Sequence, residues 1–112
     1  MSSKNSEQRL RDVLDNIEAI QIFTARMDFA AFSADRKTLY AVTRALEIIS
    51  EASRRLPDDL KQRHKDVDWI AVAAAGNVYR HEYEAVDEMQ LWNTVQHELG
   101  ALRRVVTAEL ER

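Results

Sequence analysis

A short segment near position 80 carries side chains that could perform acid–base and phosphate chemistry. It follows an uncharged stretch, residues 69–79, and its candidate functional residues are Asn77, Arg80, His81 and Tyr83. Histidine titrates near neutral pH and can take a proton from a hydroxyl, while arginine holds phosphate oxygens in a fixed geometry. Cleavage of RNA without a metal needs a base for the ribose 2′-hydroxyl and a cation for the charge that develops on phosphate. The segment is therefore a candidate site for that chemistry.

The helical spacing of these residues decides which of them can act together. His81 lies four residues after Asn77, so both should share one face of a helix. Arg80 lies four residues after Gly76, and helical side chains lean toward the N-terminus, so we expect its guanidinium to reach over the face that Gly76 leaves open. Neighbours on a helix point about 100° apart. Arg80 and His81 can meet on one group only if the arginine bends or a second subunit supplies it.

Glycine 76 is unusual for a helix interior and predicts a close contact. A glycine there costs about 0.5–1 kcal/mol relative to alanine. With residues 73–75 all alanine, the helix presents a thin surface. We expect this surface to approach another helix closely, either within the chain or in a symmetry mate.

Other interpretations of the cluster remain open at this point. A histidine at a helix end is commonly a capping or surface residue, and Tyr83 can be a half-buried packing residue. Arg80 and His81 could also pair with Glu82 or Glu84 as a surface network in a purely structural helical module. The spacing of His64, His81 and His97 does not match paired metal ligands. We therefore expect neither a metal nor a cofactor.

Composition indicates a helical protein. The chain has 112 residues, 46% of them hydrophobic, with two glycines, one proline and no cysteine. Such a sequence is short of turn formers and has no disulfides. We predict a single domain over residues 1–112. The N-terminal residues lack the apolar core of a signal peptide, and no uncharged stretch is long enough to cross a bilayer, so we expect a cytoplasmic protein without a membrane partner.

Net charge limits how the chain could bind nucleic acid. The charge is −3, so binding must come from a local patch. Basic residues do cluster just before the candidate site, at Lys61, Arg63, His64 and Lys65. Short charge runs usually only solvate a surface, so we favour a solvated segment over a phosphate track.

Apolar periodicity predicts an all-α fold, an antiparallel bundle of four to five helices. Long helices are predicted over about 7–27 and 36–56, at 69–83, and from about 88 onward, with a short one between Pro57 and His64. Ser33 or Asp35 is expected to cap the second long helix, and Asp68 the third. The rings of Phe23, Phe29 and Phe32 are predicted to lie in the core. The stretch 69–79 carries no charge, and this predicts that it forms a buried helix.

At Asn77, His81 and Tyr83 the chain resembles the HepT-like group of HEPN domains, in which an Arg-Asn pair precedes a His-x-Tyr motif on one helix. The likeness extends through residues 10–14, 45–52, 86–87 and 91–95. The resemblance implies a homodimer whose paired motif helices form a shared cleft and which acts as a metal-independent ribonuclease toxin on RNA. It also implies a nucleotidyltransferase-like (MNT) antitoxin as partner, which can adenylylate the motif tyrosine, here Tyr83, and so block the site.

One departure from the family pattern matters for the mechanism. The family's arginine precedes its histidine with four to six residues between, but positions 74–76 are Ala, Ala and Gly here. Arg80 is the nearby substitute. We therefore predict His81 as the general base, Arg80 as the phosphate clamp and Asn77 as an orienting residue. The missing arginine and the acidic charge favour the alternative, a non-catalytic HEPN adaptor that binds a nucleotide or a nucleotidyltransferase-like partner.

Overall fold

Apolar residues that recur every three or four positions produce the helices that make up this molecule. The computed structural model describes the backbone of residues 4–81 and 88–112, and the side chains of residues 5–76 and 88–112. Within these ranges every regular element is a helix and there are no strands, so the all-α prediction is confirmed. The helices are α1 Lys4–Phe23, α2 Phe29–Ala34, α3 Arg36–Arg54, α4 Asp58–Arg63, α5 Trp69–His81, α6 Glu88–His97 and α7 Leu99–Leu110.

The apolar core is built mainly by α1, α3 and α7. Helix α1 packs against both α3 and α7, while α5 packs against α3. Complete burial of one large aliphatic side chain contributes about 1.5–3 kcal/mol to folding. The fully buried aliphatic residues of these three helices are Val13, Ile17, Ile20, Val42, Leu46, Ile49, Leu102 and Val106.

Aspartates begin three of the helices. Asp35 accepts a hydrogen bond from the amide of Thr38 at 3.2 Å, and Asp68 accepts one from Ala71 at 3.0 Å. Each carboxylate satisfies an amide that the first helical turn leaves without a partner. The predicted caps at Asp35 and Asp68 are confirmed. Asp28 caps α2 in the same way.

Two predicted boundaries and one predicted core residue differ from the structure. Helix α1 ends at Phe23, and Arg26 adopts a positive φ of 66° in the turn that follows. The long C-terminal helix is interrupted at Glu98, so it forms α6 and α7. Phe23 is 43% exposed, so its prediction as a core residue is wrong. The buried stripe of α1 continues through Thr24, which lies four residues after Ile20.

The other two phenylalanines do pack inward. Phe32 is fully buried, and its ring centroid lies 5.0 Å from that of Trp92 on α6. Phe29 is half-buried and meets the same indole edge-on, with centroids 6.4 Å apart. These aromatic contacts hold α2 and α6 together. Among the described helices, none has the length and apolar character needed to cross a membrane.

Candidate active site

Helix α5 supplies the backbone for three of the four predicted site residues. Asn77, Arg80 and His81 all lie within it, and the helix ends at His81. Their side chains are outside the described part of the structure, and Tyr83 lies wholly outside the described residues. The backbone nevertheless fixes which positions share a face.

The face of α5 that carries positions 77 and 81 is turned away from α3. Successive helical residues rotate by about 100°, so positions 70, 74, 77 and 81 fall within about 60° of one another. Ile70 is 85% exposed, and Ala74 is also exposed. By register, positions 77 and 81 therefore share the helical face of Ile70 and Ala74.

This exposure corrects the prediction that residues 69–79 form a buried helix. Between Trp69 and Gly76, only Gly76 is buried. The uncharged sequence fits a helix that packs on one side against α3 and presents apolar residues on the other. The absence of charged residues indicates that α5 could be buried. It does not indicate whether the burying surface belongs to the same chain or to another one.

On its inner side, α5 approaches α3 very closely at Gly76. A Cβ atom built on Gly76 would lie 2.9 Å from the Cα of Glu47 and 2.9 Å from the Oγ of Ser50. Contacts this short do not accommodate a side chain, because one of the two is to the backbone of α3. The predicted close approach at Gly76 is therefore confirmed, and the neighbour is a helix of the same chain.

Hydrogen bonds from α3 fasten the same turn of α5. Ser50 Oγ donates to the carbonyl of Val72 at 2.8 Å and accepts from the amide of Gly76 at 2.8 Å. One turn further along α3, Arg54 donates from Nη1 to the carbonyl of Ala73. Arg54 Nη2 also donates to Glu51 at 2.9 Å, and this hydrogen bond lowers the pKa of the Glu51 carboxyl. We call the contacts of Ser50 and Arg54 with α5 the α3–α5 clasp.

The close approach removes one premise of the predicted role of Arg80. The face of α5 at Gly76 is not open, because Glu47 and Ser50 occupy it. Arg80 follows one turn later along that side of the helix. The premise that this face is vacant is therefore wrong. The predicted reach of the guanidinium stays a prediction, because the Arg80 side chain lies outside the described residues.

The basic segment before α5 takes part in a contact within the protein. Arg63 Nη2 lies 2.8 Å from Glu109 Oε1, and His64 Nε2 lies 2.6 Å from Glu109 Oε2. The side chain of Glu109 is only 6% exposed. Hydrogen bonding from Arg63 lowers the pKa of Glu109, although burial acts in the opposite direction. Two of the four basic residues are thus engaged in fastening α4 to α7, so they do not form a free phosphate track.

Sequence comparison places this helical chain in a ribonuclease class. Residues 13–109 match the model of a family described as Ribonuclease HepT-like. The match covers most of the chain, which therefore belongs to the HepT-like ribonuclease family.

Individual relatives agree with the family. A Thermococcus cleftensis protein named as a probable ribonuclease HepT is 38% identical over 100 residues, which are 89% of this chain and 91% of the relative. A Methanocaldococcus jannaschii protein whose name describes a candidate RNase is 31% identical over 106 residues, covering 95% of this chain and 97% of the relative. No solved structure matches the chain.

The contacts of Ser50 and Arg54 with α5 were not predicted from the sequence. Both lie on α3, far from the motif in sequence, and a serine beside an apolar stripe has no chemistry that singles it out. The available signal was Gly76, since a glycine inside a helix predicts a neighbour in close contact. Only the packing of α5 on α3 shows which residues that neighbour supplies.

Proposed function

We propose that this protein is a metal-independent ribonuclease whose active site lies on the outer face of α5. The observation that supports the proposal is that positions 77 and 81 lie one turn apart on the helical face of the exposed Ile70, in a chain of a ribonuclease family. Its relatives are named as ribonucleases over almost the same length.

The proposed reaction uses the 2′-hydroxyl of the RNA as its nucleophile. His81 accepts the proton of that hydroxyl, and the oxygen then forms a bond to the adjacent phosphorus. The bond from phosphorus to the 5′-oxygen of the next nucleotide breaks, and this oxygen takes a proton from water. The protonated imidazole of His81 returns its proton to the hydroxide that is left, which restores the base. The products are a 2′,3′-cyclic phosphate and a 5′-hydroxyl. Arg80 stabilises the extra negative charge on the phosphate in the transition state, and Asn77 orients the phosphate or the imidazole.

The proposal includes a homodimer built on α5. An isoleucine that is 85% exposed lies on the same helical face as positions 77 and 81. Pairing two copies of this face would cover the apolar residues and place both copies of position 81 at one contact. Arg80 lies about 100° around the helix from His81, so we propose that its long side chain bends around α5 to reach the phosphate.

The biological role that we propose follows the family resemblance. The chain would act as a toxin with RNA as its substrate, beside a nucleotidyltransferase-like (MNT) antitoxin. Tyr83, two residues beyond the proposed base, would be the position that the antitoxin adenylylates. A bulky, anionic nucleotide attached there would obstruct a neighbouring phosphate site and repel RNA.

One observation favours a second candidate, a non-catalytic HEPN adaptor. In the family pattern an arginine precedes the motif asparagine, but here Gly76 occupies that place and α3 leaves no room for a side chain. A protein in which position 76 serves the contact with α3 could retain the dimer surface. It could then bind a nucleotide or a partner without cutting RNA.

Cleavage of RNA in the presence of a chelator distinguishes the two candidates. The wild-type protein should cut, and His81→Ala should lose about 10²–10⁴-fold in rate, the usual contribution of a general base. Arg80→Ala should lose a comparable amount if its charge stabilises the transition state. The matched controls are His97→Ala and Arg104→Ala, since both side chains are exposed and lie on other helices.

Each outcome of this experiment supports or rejects one of the two candidate functions. Loss of activity in folded His81→Ala and Arg80→Ala, with both controls unchanged, supports the ribonuclease mechanism. Equal cleavage by all five proteins assigns the activity to a contaminant and rejects the mechanism. Nucleotide or partner binding by a wild-type protein that never cuts RNA supports the adaptor.

A further inference from the structure

We infer that Ser50 is a positioning residue for the α5 site: its hydroxyl, hydrogen-bonded to both the carbonyl of Val72 and the amide of Gly76, sets the course of the turns that carry Asn77, Arg80 and His81. The inference rests on the proposed function for its catalytic consequence. Its structural part, that Ser50 controls the end of α5, can be tested by itself.

Ser50 contacts two backbone groups of α5 that are ordinarily hydrogen-bond partners of each other. In an α-helix, the amide of residue 76 donates to the carbonyl of residue 72. Ser50 Oγ lies 2.8 Å from both groups, donating to one and accepting from the other. The hydroxyl therefore stands within one step of the hydrogen-bond ladder of α5. Side chains that insert into this ladder are a recognised cause of helix bends.

Arg54 acts on the next step of the same ladder. It donates to the carbonyl of Ala73, which is the helical partner of the Asn77 amide. Glu51 in turn binds the guanidinium at 2.9 Å. Two consecutive carbonyls of α5 are thus tied to α3 immediately before the motif begins.

The placement of the clasp gives it control over the site without contact with substrate. Val72 and Gly76 lie on the side of α5 that faces α3, whereas positions 77 and 81 lie on the opposite side by register. Residues 77–81 extend beyond the last clasped carbonyl, so their direction depends on the geometry of the turn at 72–76. A misplacement of about 1 Å at a reacting group can cost up to about 100-fold in rate.

Removal of the hydroxyl should change geometry more than stability. In Ser50→Ala, the Val72 carbonyl and the Gly76 amide can bond to each other, so neither group is left without a partner. The variant is therefore expected to fold, with a changed geometry at the turn 72–76 and a redirected course of residues 77–81. Alanine also fits the space, because it only lacks the oxygen.

The chain offers a closely matched control in Ser53. Ser50 and Ser53 both lie on α3, and each is 1% exposed. Ser53 Oγ donates to the carbonyl of Ser50 at 2.9 Å, a bond that stays within α3. Ser53→Ala thus removes a buried hydroxyl of the same kind without altering the clasp.

The experiment compares the wild type, Ser50→Ala and Ser53→Ala in RNA cleavage, in amide hydrogen exchange and in the imidazole NMR signals. For Ser50→Ala we expect kcat to fall by about 10–100-fold with KM changed by less than about 3-fold, because misplacement affects the transition state more than binding. Exchange at the Gly76 and Asn77 amides should rise by about 10-fold, since local protection reports the stability of that turn. The imidazole signals of His81 should shift, while those of His64 and His97 stay in place. Ser53→Ala should match the wild type in every readout of α5.

Each outcome decides a separate point. If the wild type does not cleave RNA, the proposed function fails, and exchange and NMR still decide whether Ser50 controls the end of α5. Wild-type kcat, exchange and His81 signals in folded Ser50→Ala would overturn the inference. If Ser50→Ala does not fold, Ser50→Cys replaces the hydroxyl by a thiol, which is only a weak donor and a weak acceptor, at the same position. Faster exchange of the Gly76 and Asn77 amides in that variant supports the inference, and unchanged exchange overturns it.

Discussion

The α1–α3–α7 core and the α3–α5 clasp hold this molecule together in different ways. The core is made of large aliphatic side chains that are completely buried, such as Ile17 and Leu46. The clasp is made of a glycine, a serine hydroxyl and an arginine that binds backbone carbonyls. Burial of apolar surface is not directional, whereas hydrogen bonds and close backbone approach depend on exact geometry. The core therefore supplies stability, and the clasp fixes the direction of the helix that bears the candidate site.

The outer side of α5 differs from both regions, because its apolar residues are exposed and not packed within the chain. Substitution there should change dimerisation more than any other substitution changes stability. Ile70→Glu places a carboxylate on the exposed apolar face that we propose as the dimer contact. Removing an unpaired charge from water costs several kcal/mol, so the dimer dissociation constant should rise by about 100-fold or more. Sedimentation equilibrium measures this change.

The control for the dimer is Ile22→Glu. Ile22 is 73% exposed on α1 and has no place in the proposed contact. Its variant should dimerise as the wild type does. A wild-type protein that is monomeric, or an Ile70→Glu dimer of full strength, would contradict the proposed use of α5.

A smaller effect is expected where the two helices of the clasp meet. Gly76→Ala should lower the free energy of unfolding by about 1–3 kcal/mol, the usual cost of forcing a methyl group into a filled space. Gly100→Ala is the matched control on α7, because its new Cβ would meet only the end of Arg104, at 3.7 Å. Gly100 is in the first turn of α7, so the variant should regain only part of the glycine penalty of a helix interior and should be at least as stable as the wild type. Urea unfolding should thus show a loss of stability for Gly76→Ala and none for Gly100→Ala, and an equal result for the two would show that the contact at Gly76 is not tight.

The smallest effect concerns the ion pair between α4 and α7, which lies outside both regions. Glu109→Gln removes the charge held by Arg63 and His64, and should cost about 1–2 kcal/mol at neutral pH. The pKa of Glu109 is lowered in the folded state. Its contribution is therefore present above the pKa of an ordinary carboxyl and is lost as the pH falls through the folded-state value.

Urea unfolding as a function of pH checks this prediction. The stability difference between the wild type and Glu109→Gln should be largest near neutral pH and should disappear in acid. Glu111→Gln, at an exposed position two residues away, should differ little from the wild type at any pH. A difference for Glu109→Gln that persists unchanged in acid would show that the charge is not its cause.

Local signals in the sequence predicted the helices well. Asp35 and Asp68 cap the helices that they were expected to cap, because a cap depends on residues within one turn of itself. Apolar periodicity likewise predicted the buried stripes of α1, α3 and α7. The prediction that Phe23 lies in the core was wrong, because an aromatic ring at the edge of an apolar stripe is buried only if another element covers it.

The candidate site was less accessible from the sequence alone. Residue types and spacing at 77–83 indicated the chemistry, and Gly76 indicated a close neighbour. That neighbour, Ser50, lies 26 residues earlier, and nothing local to either residue pairs them. The exposure of α5 was also missed, since an uncharged helix is equally suited to a core and to an interface between subunits.

If the α5 site cuts RNA through His81 without a metal ion, the ends of the cut RNA carry the signature of that chemistry. In the presence of a chelator, the wild type should leave 2′,3′-cyclic phosphate and 5′-hydroxyl ends, and His81→Ala should give no cleavage above background. Ends carrying a 3′-hydroxyl, or the same products in the same yield from both proteins, would rule out His81 as the base.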